Sequence, residues 1–176
     1  PTHNTAHQLT YEEIQEMNGG NAQMVFNDAG YLTFLYGKYY DGKVTDQEEA
    51  ITSIMGVANL LGLAAGSEFF CVYGGQDKNG YTYFTYQQRY GDSTVWNATL
   101  HIVIDPEGTP IGLSSSFTPN LGIAETTNAI TPDQAEAVVQ QTYASTSFAS
   151  SLVFYSEATQ KMVVDLNGVT YNAYAV

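Results

Sequence analysis

Val44-Thr45-Asp46-Gln47-Glu48-Glu49-Ala50-Ile51 returns later in the chain as Ile130-Thr131-Pro132-Asp133-Gln134-Ala135-Glu136-Ala137-Val138, with one proline inserted. Both stretches read as helix starts. A threonine stands at the N-cap, and three residues on Glu48 or Gln134 is placed to reach back and close a capping box. Asp46, Glu48, Glu49, Asp133 and Glu136 favour the positive end of a helix dipole, and Pro132 takes the first helical position, where a missing N–H is harmless. The repetition predicts two related units.

After each helix come alternating aromatic and β-branched runs punctuated by Gly, Asn and Asp, which read as antiparallel strands. The first set is expected near 68–74, 80–90, 94–105 and 110–117, with turns at Asp77-Lys78-Asn79-Gly80, Gly91-Asp92-Ser93 and Asp105-Pro106-Glu107-Gly108. The second set is expected near 151–157, 160–165 and 169–175, with a tight turn at Asn167-Gly168. Helix followed by strands, without strand-helix-strand alternation, predicts an α+β fold of two cystatin-like units, each a helix packed on an antiparallel sheet. In the first helix Ala50, Ile51, Ile54, Met55, Ala58 and Leu61 line one face, and Leu63-Ala64-Ala65-Gly66 is its exit. In the second, Ala135, Val138, Val139 and Thr142 or Tyr143 recur at similar spacing, before an exit at Ala144-Ser145-Thr146-Ser147.

Across 176 residues the apolar share of 44% is ample for a packed core. A net charge of −13 with five basic residues leaves no Lys/Arg patch for nucleic acid or an anionic membrane, and favours a neutral or basic partner. The longest apolar run, Met55 to Ala65, is broken by Gly and Asn, so no membrane-spanning segment is expected. A start at Pro1 rather than Met points to removal of an upstream segment, such as an export signal. The single cysteine, Cys71, lies in an apolar strand run and reads as a small core residue, without a histidine in a catalytic setting nearby in sequence.

The stretch Phe34 to Phe117 resembles the fungalysin/thermolysin propeptide domain. The resemblance is carried by the lead-in Leu35-Tyr36-Gly37-Lys38, the acid-capped helix, the Leu61-Gly62-Leu63 exit and the Asp77 to Gly80 turn. It continues through Tyr86-Gln87-Gln88-Arg89-Tyr90, Val95-Trp96, the strand Leu100 to Asp105 with Gly108, and Ile111-Gly112-Leu113. Residues 121–176 resemble the start of the PepSY domain that follows it in that family. On this reading the domains are 31–120 (propeptide-like) and 121–176 (PepSY-like, incomplete), with 1–30 unassigned. The family's usual Arg, Pro and Gly are replaced here by Thr85, Thr94 and Asn97, and its loop Gly is shifted to Gly91.

A thermolysin-like peptidase requires two histidines flanking a Glu on a helix to hold zinc. His3 and His7 have that spacing but enclose Asn4-Thr5-Ala6, so no catalytic, cofactor or metal residue is expected. His101 alternates against Trp96, Ala98, Leu100, Ile102 and Ile104 and should point away from the core. Tyr81, Tyr83 and Arg89 share one parity and Tyr86, Gln88 and Tyr90 the other. The expected partner-binding face is Tyr86, Gln88, Tyr90, Trp96 and His101, since tyrosines offer contact area with a polar tip; simple cross-strand pairing is the alternative. Asn97-Ala98-Thr99 also matches a glycosylation sequon.

The resemblance implies a non-catalytic pro-region of a secreted or cell-surface zinc metallopeptidase, which inhibits its catalytic domain and assists its folding. The alternative is a stand-alone secreted or surface module that binds a protein or peptide. Unpaired strand edges in the second unit add the expectation of homodimerisation by edge pairing.

Overall fold

The computed structural model describes residues 7–64, 67–122 and 129–176. His3, Asn4 to Ala6 and the Ala65-Gly66 part of the first helix's exit lie outside the described residues. The chain divides into two compact units, Pro1–Arg89 with Asn97–Leu121, and Tyr90–Trp96 with Gly122–Val176. The α+β class holds, with a large sheet and few helices.

The first unit is built on six antiparallel strands, β1 (Gln23–Phe26), β2 (Leu32–Tyr36), β3 (Glu68–Gln76), β4 (Thr82–Tyr90), β5 (Ser93–Ile104) and β6 (Pro110–Ser115), except that Tyr90 of β4 and the opening of β5 up to Trp96 belong to the second unit. Their order across the sheet is β1-β2-β6-β5-β4-β3. Three connections share one chemistry, in which an Asn or Asp begins the loop and a glycine at positive φ is its fourth residue. Asn27, Asp77 and Asp105 each accept, through Oδ1, the amides two and four residues on, and Gly30, Gly80 and Gly108 sit at φ 85°, 89° and 85°. An Asx side chain that imitates a backbone turn makes such loops short and sharp. The first of the three, with the β1–β2 hairpin it closes, was not foreseen.

Helix α1 (Tyr11–Met17) also lies within the segment left unassigned by the sequence. It is closed by a capping box between Thr10 and Glu13 and buries Ile14. Gln8 ties the segment down, donating to the Met55 carbonyl and accepting from the Asn59 amide. The helix predicted from Thr45 is two pieces, α2 (Gln47–Met55) and α3 (Ala58–Leu61). Its cap is Asp46, whose carboxylate takes both the Glu48 and Glu49 amides, while Thr45 is held by Glu49 Oε2. An ionised acceptor that reaches two orphan amides displaces the hydroxyl one residue earlier. The break at Gly56 rotates the stripe, so Ser53 and Val57 join Ala50, Ile54, Ala58 and Leu61 in the core, and Ile51 and Met55 are left half-buried. Gly62, left-handed at φ 70°, ends α3; a Cβ there would lie 2.6 Å from the Tyr31 ring.

The second unit begins with α4 (Pro132–Tyr143), capped as predicted by Thr131 and Gln134 with Pro132 in its first turn. The strand expected at 151–157 is absent: Ala149–Ser151 and Ser156–Ala158 are 3₁₀ turns. Glu136 on α4 is the reason, because its carboxylate accepts from Ser156 Oγ and Thr159 Oγ1 and holds this segment to the helix. β7 (Gln160–Leu166) and β8 (Val169–Ala175) form a hairpin through Asn167 and Gly168, both at positive φ, as a two-residue turn of this kind requires. β7 pairs parallel with the opening of β5, Thr94 with Met162 and Val95 with Val163. The purely antiparallel sheet expected for this unit is thus corrected.

Candidate functional site

Period-two alternation gives the six-stranded sheet a dry face and an open face. Leu35, Tyr86, Gln88, Ala98, Leu100, Ile102, Ile104 and Leu113 are buried on the dry side, with Ala50, Ile54, Val57 and Leu61 among the buried residues of the helical segment. The open side carries Val25 on β1, Phe34 and Tyr36 on β2, Ser114 on β6, Thr99, His101 and Val103 on β5, Thr85 and Gln87 on β4, and Phe70 and Tyr73 on β3. Pairing keeps these on one side: Val25 with Phe34, Phe34 with Ser114, Ser114 with His101, Gln87 with Phe70 and Thr85 with Tyr73.

Apolar rings lie toward both margins of this face and hydroxyls at its centre. Tyr36 is 57% and Tyr73 61% exposed. At the centre Thr85 Oγ1 lies 2.9 Å from His101 Nδ1, and Thr99 Oγ1 lies 3.4 Å from His101 Nε2. Ser116 Oγ receives the Thr99 amide and donates to the Asn97 carbonyl at 2.6 Å. The six strands hold two formal charges in all, Glu68 and Arg89. These two are cross-strand neighbours on β3 and β4, and the Arg89 guanidinium carbon lies 5.4 Å from the Phe70 ring centroid. In a chain of net charge −13, a broad sheet face so poor in charge has the composition of an interface core.

The five residues expected to form a binding face are separated by the structure. Tyr86 and Gln88 are fully buried, so the parity expected to face outward on β4 is the inward one, and Tyr83, Thr85, Gln87 and Arg89 form its open side. Tyr86 stacks edge-on with Phe69 at 5.7 Å and donates its hydroxyl to the Gln47 carbonyl at the start of α2. Burial raises its phenol pKa, so it stays a donor. Gln88 serves as a surrogate strand: its Oε1 takes the Thr118 amide at 2.8 Å and its Nε2 gives to the Thr118 carbonyl at 3.0 Å, just beyond the end of β6. Tyr90 and Trp96 are exposed but belong to the second unit. Trp96 was expected on the inward parity of Leu100; Asn97, at φ 55°, inserts a kink that makes Trp96 and Asn97 both exposed. That left-handed backbone also accounts for Asn97 where the propeptide pattern has a glycine, since asparagine is the other residue that tolerates it. His101 alone of the five stands on the open face. The scarcity of charge along all six strands was the signal in the sequence that parity reasoning passed over.

His7, 2.8 Å from Glu13 Oε1, is engaged with the capping residue of α1. Cys71 is half-buried at the β3 bulge, its thiol donating to the Tyr73 carbonyl. Among the described residues no three His, Cys, Asp or Glu side chains converge as metal ligands, and no helix is long and apolar enough to cross a membrane. In the second unit, Asp92 and Lys161 form an ion pair of 2.8 Å beside a cavity of about 490 Å³ that Met162, Asn172 and Tyr174 help to line. The two charges offset one another.

Residues 76–117 match the Fungalysin/Thermolysin Propeptide Motif. The match begins at the last residue of β3 and takes in β4, β5 and β6, the strands that form the centre of the open face. The motif is a propeptide motif, a non-catalytic region, in keeping with a chain that is not an enzyme. No curated protein matches the chain.

Proposed function

We propose that this chain is the non-catalytic pro-region of a secreted thermolysin-like zinc metallopeptidase, and that it inhibits the catalytic domain and assists its folding by docking through the open face of the six-stranded sheet. The observation that carries the proposal is the propeptide motif at 76–117, which coincides with the central strands of that face. Binding the native form of a partner and not its unfolded form stabilises it by mass action, so one docking surface serves both inhibition and folding. The first unit, helices across an antiparallel sheet, is read as cystatin-like, and residues 121–176 as the beginning of a PepSY-like unit. A cell-surface or extracellular location follows from the same reading.

The test is titration of the purified chain against thermolysin, and against the thermolysin-type peptidases encoded in the same genome, with residual activity as readout. Saturable inhibition at a defined stoichiometry supports the proposal. Tyr73→Ser and Tyr36→Ser, on opposite margins of the face, should each weaken inhibition by roughly tenfold or more with the melting temperature nearly unchanged, because an interface aromatic lost from a packed contact costs about 2 kcal/mol. Folded chain and folded peptidases that show no inhibition would shift the assignment to the stand-alone binding module.

A further inference from the structure

We propose that His101 makes this docking pH-dependent, so that acidification releases the partner while the pro-region itself stays folded; this rests on the docking reading above. Histidine is the side chain whose charge changes between about pH 5 and 8, and His101 stands exposed on the central strand of the open face.

The surroundings of the ring set the direction of the effect. β4 presents Thr85 to Nδ1, and its other titratable or charged groups on this side are Tyr83, whose hydroxyl bonds Asp77 Oδ2, and Arg89, whose cross-strand neighbour on β3 is Glu68. β6 presents Ser114, with Ser116 just beyond its end, neither titratable, and β5 itself presents Thr99 and Val103. Farther out, β3 adds Tyr73 and β2 adds Tyr36. Among the described residues of the face, therefore, no carboxylate contacts His101. In the free chain the ring is exposed, and when both nitrogens carry hydrogen the Thr85 hydroxyl accepts a hydrogen bond from Nδ1 and the Thr99 hydroxyl one from Nε2, so protonation leaves the sheet intact. When a partner covers the face, water is removed from the ring and a cation would be enclosed among hydroxyls with no described carboxylate of this face beside it, an unfavourable transfer. Association then favours the neutral ring and weakens as pH falls.

The experiment measures binding of the full chain to immobilised thermolysin, and to any peptidase inhibited in the titration above, at pH 8.0 and 5.5, for wild type, H101N and H101R. Covering the ring disfavours its charged form, so wild type should weaken severalfold, up to roughly tenfold, between the two pH values. H101N, neutral throughout, should bind at pH 5.5 about as it does at pH 8.0, and H101R, always charged, should bind weakly at both. The ratio of wild type to H101N cancels the peptidase's own response to pH, and circular dichroism at both pH values checks that the chain remains folded. Parallel behaviour of wild type and H101N overturns the role of His101 and leaves the docking reading standing. Absence of binding at pH 8.0 by wild type and H101N alike overturns the docking reading and this inference with it.

Discussion

Replacing Gln88 by Met keeps the length of the side chain and removes both of its polar groups, which tests whether this residue is a structural clamp or part of a binding surface. Two hydrogen bonds to Thr118 are lost, at roughly 1 kcal/mol net each. The site is fully buried on the Gln88 side, but Thr118 is half-buried, so water can reach its freed amide and carbonyl and spare much of the further cost of orphaning them. The expected destabilisation is about 2 kcal/mol. For a domain of this size that corresponds to a fall in melting temperature of roughly 8 °C, read by far-UV circular dichroism, and to faster hydrogen exchange at the Thr118 amide. Gln88→Glu sharpens the test through pH. A carboxylate facing the Thr118 carbonyl has no donor to offer and is desolvated, so its folded pKa lies above the unfolded value of about 4.3. A group shifted in that direction is favourable below the unfolded pKa and loses that contribution as pH rises, so E88 is tolerated best in acid and worst at neutral pH. An unchanged midpoint and unchanged Thr118 exchange in Q88M would refute the clamp.

Gly62→Ala combines a left-handed backbone, worth about 1–3 kcal/mol for a non-glycine residue, with a Cβ forced against Tyr31 and Pro119; urea unfolding should show a loss of at least about 2 kcal/mol. Tyr86→Phe removes the bond to the Gln47 carbonyl while keeping the ring, and should cost about 1 kcal/mol in the same assay without altering docking. The hydrogen bond from Lys161 lowers the pKa of Asp92, and the reciprocal bond raises that of Lys161. The pair's contribution is therefore lost as pH falls through the folded pKa of Asp92 and again as it rises through that of Lys161. In Lys161→Met the Asp92 carboxyl, followed by NMR, should titrate at a higher pH than in wild type.

Local chemistry was legible at several self-contained sites, although the equally local Thr10–Glu13 capping box and Asn27–Gly30 turn were passed over. The Thr131, Pro132 and Gln134 helix start, the Asp77 and Asp105 turns and the Asn167-Gly168 hairpin were each written within a few adjacent residues, and each is found. Features that depended on distant partners were not legible. Nothing near residue 156 announces that Glu136, twenty residues earlier, would draw Ser156 away from a strand. The two parities of β4 look alike in sequence because each combines tyrosines with polar residues; the choice between them falls to Gln88, whose amide is satisfied only by a backbone thirty residues away. On β5 the alternation was read correctly from Ala98 onward and incorrectly at Trp96, since the pattern cannot report a backbone kink that shifts its phase by one.

The kink at Asn97 also marks the boundary between the two units, which runs through the middle of one strand. A gene fragment covering residues 122–176 would encode the β7–β8 hairpin without Thr94 and Val95, the residues that give β7 its second neighbour. A two-stranded ribbon alone is marginal in water. The second unit is thus not a cassette that recombination can lift out and reuse as a contiguous stretch of sequence, because its Tyr90–Trp96 segment lies between the two segments of the first.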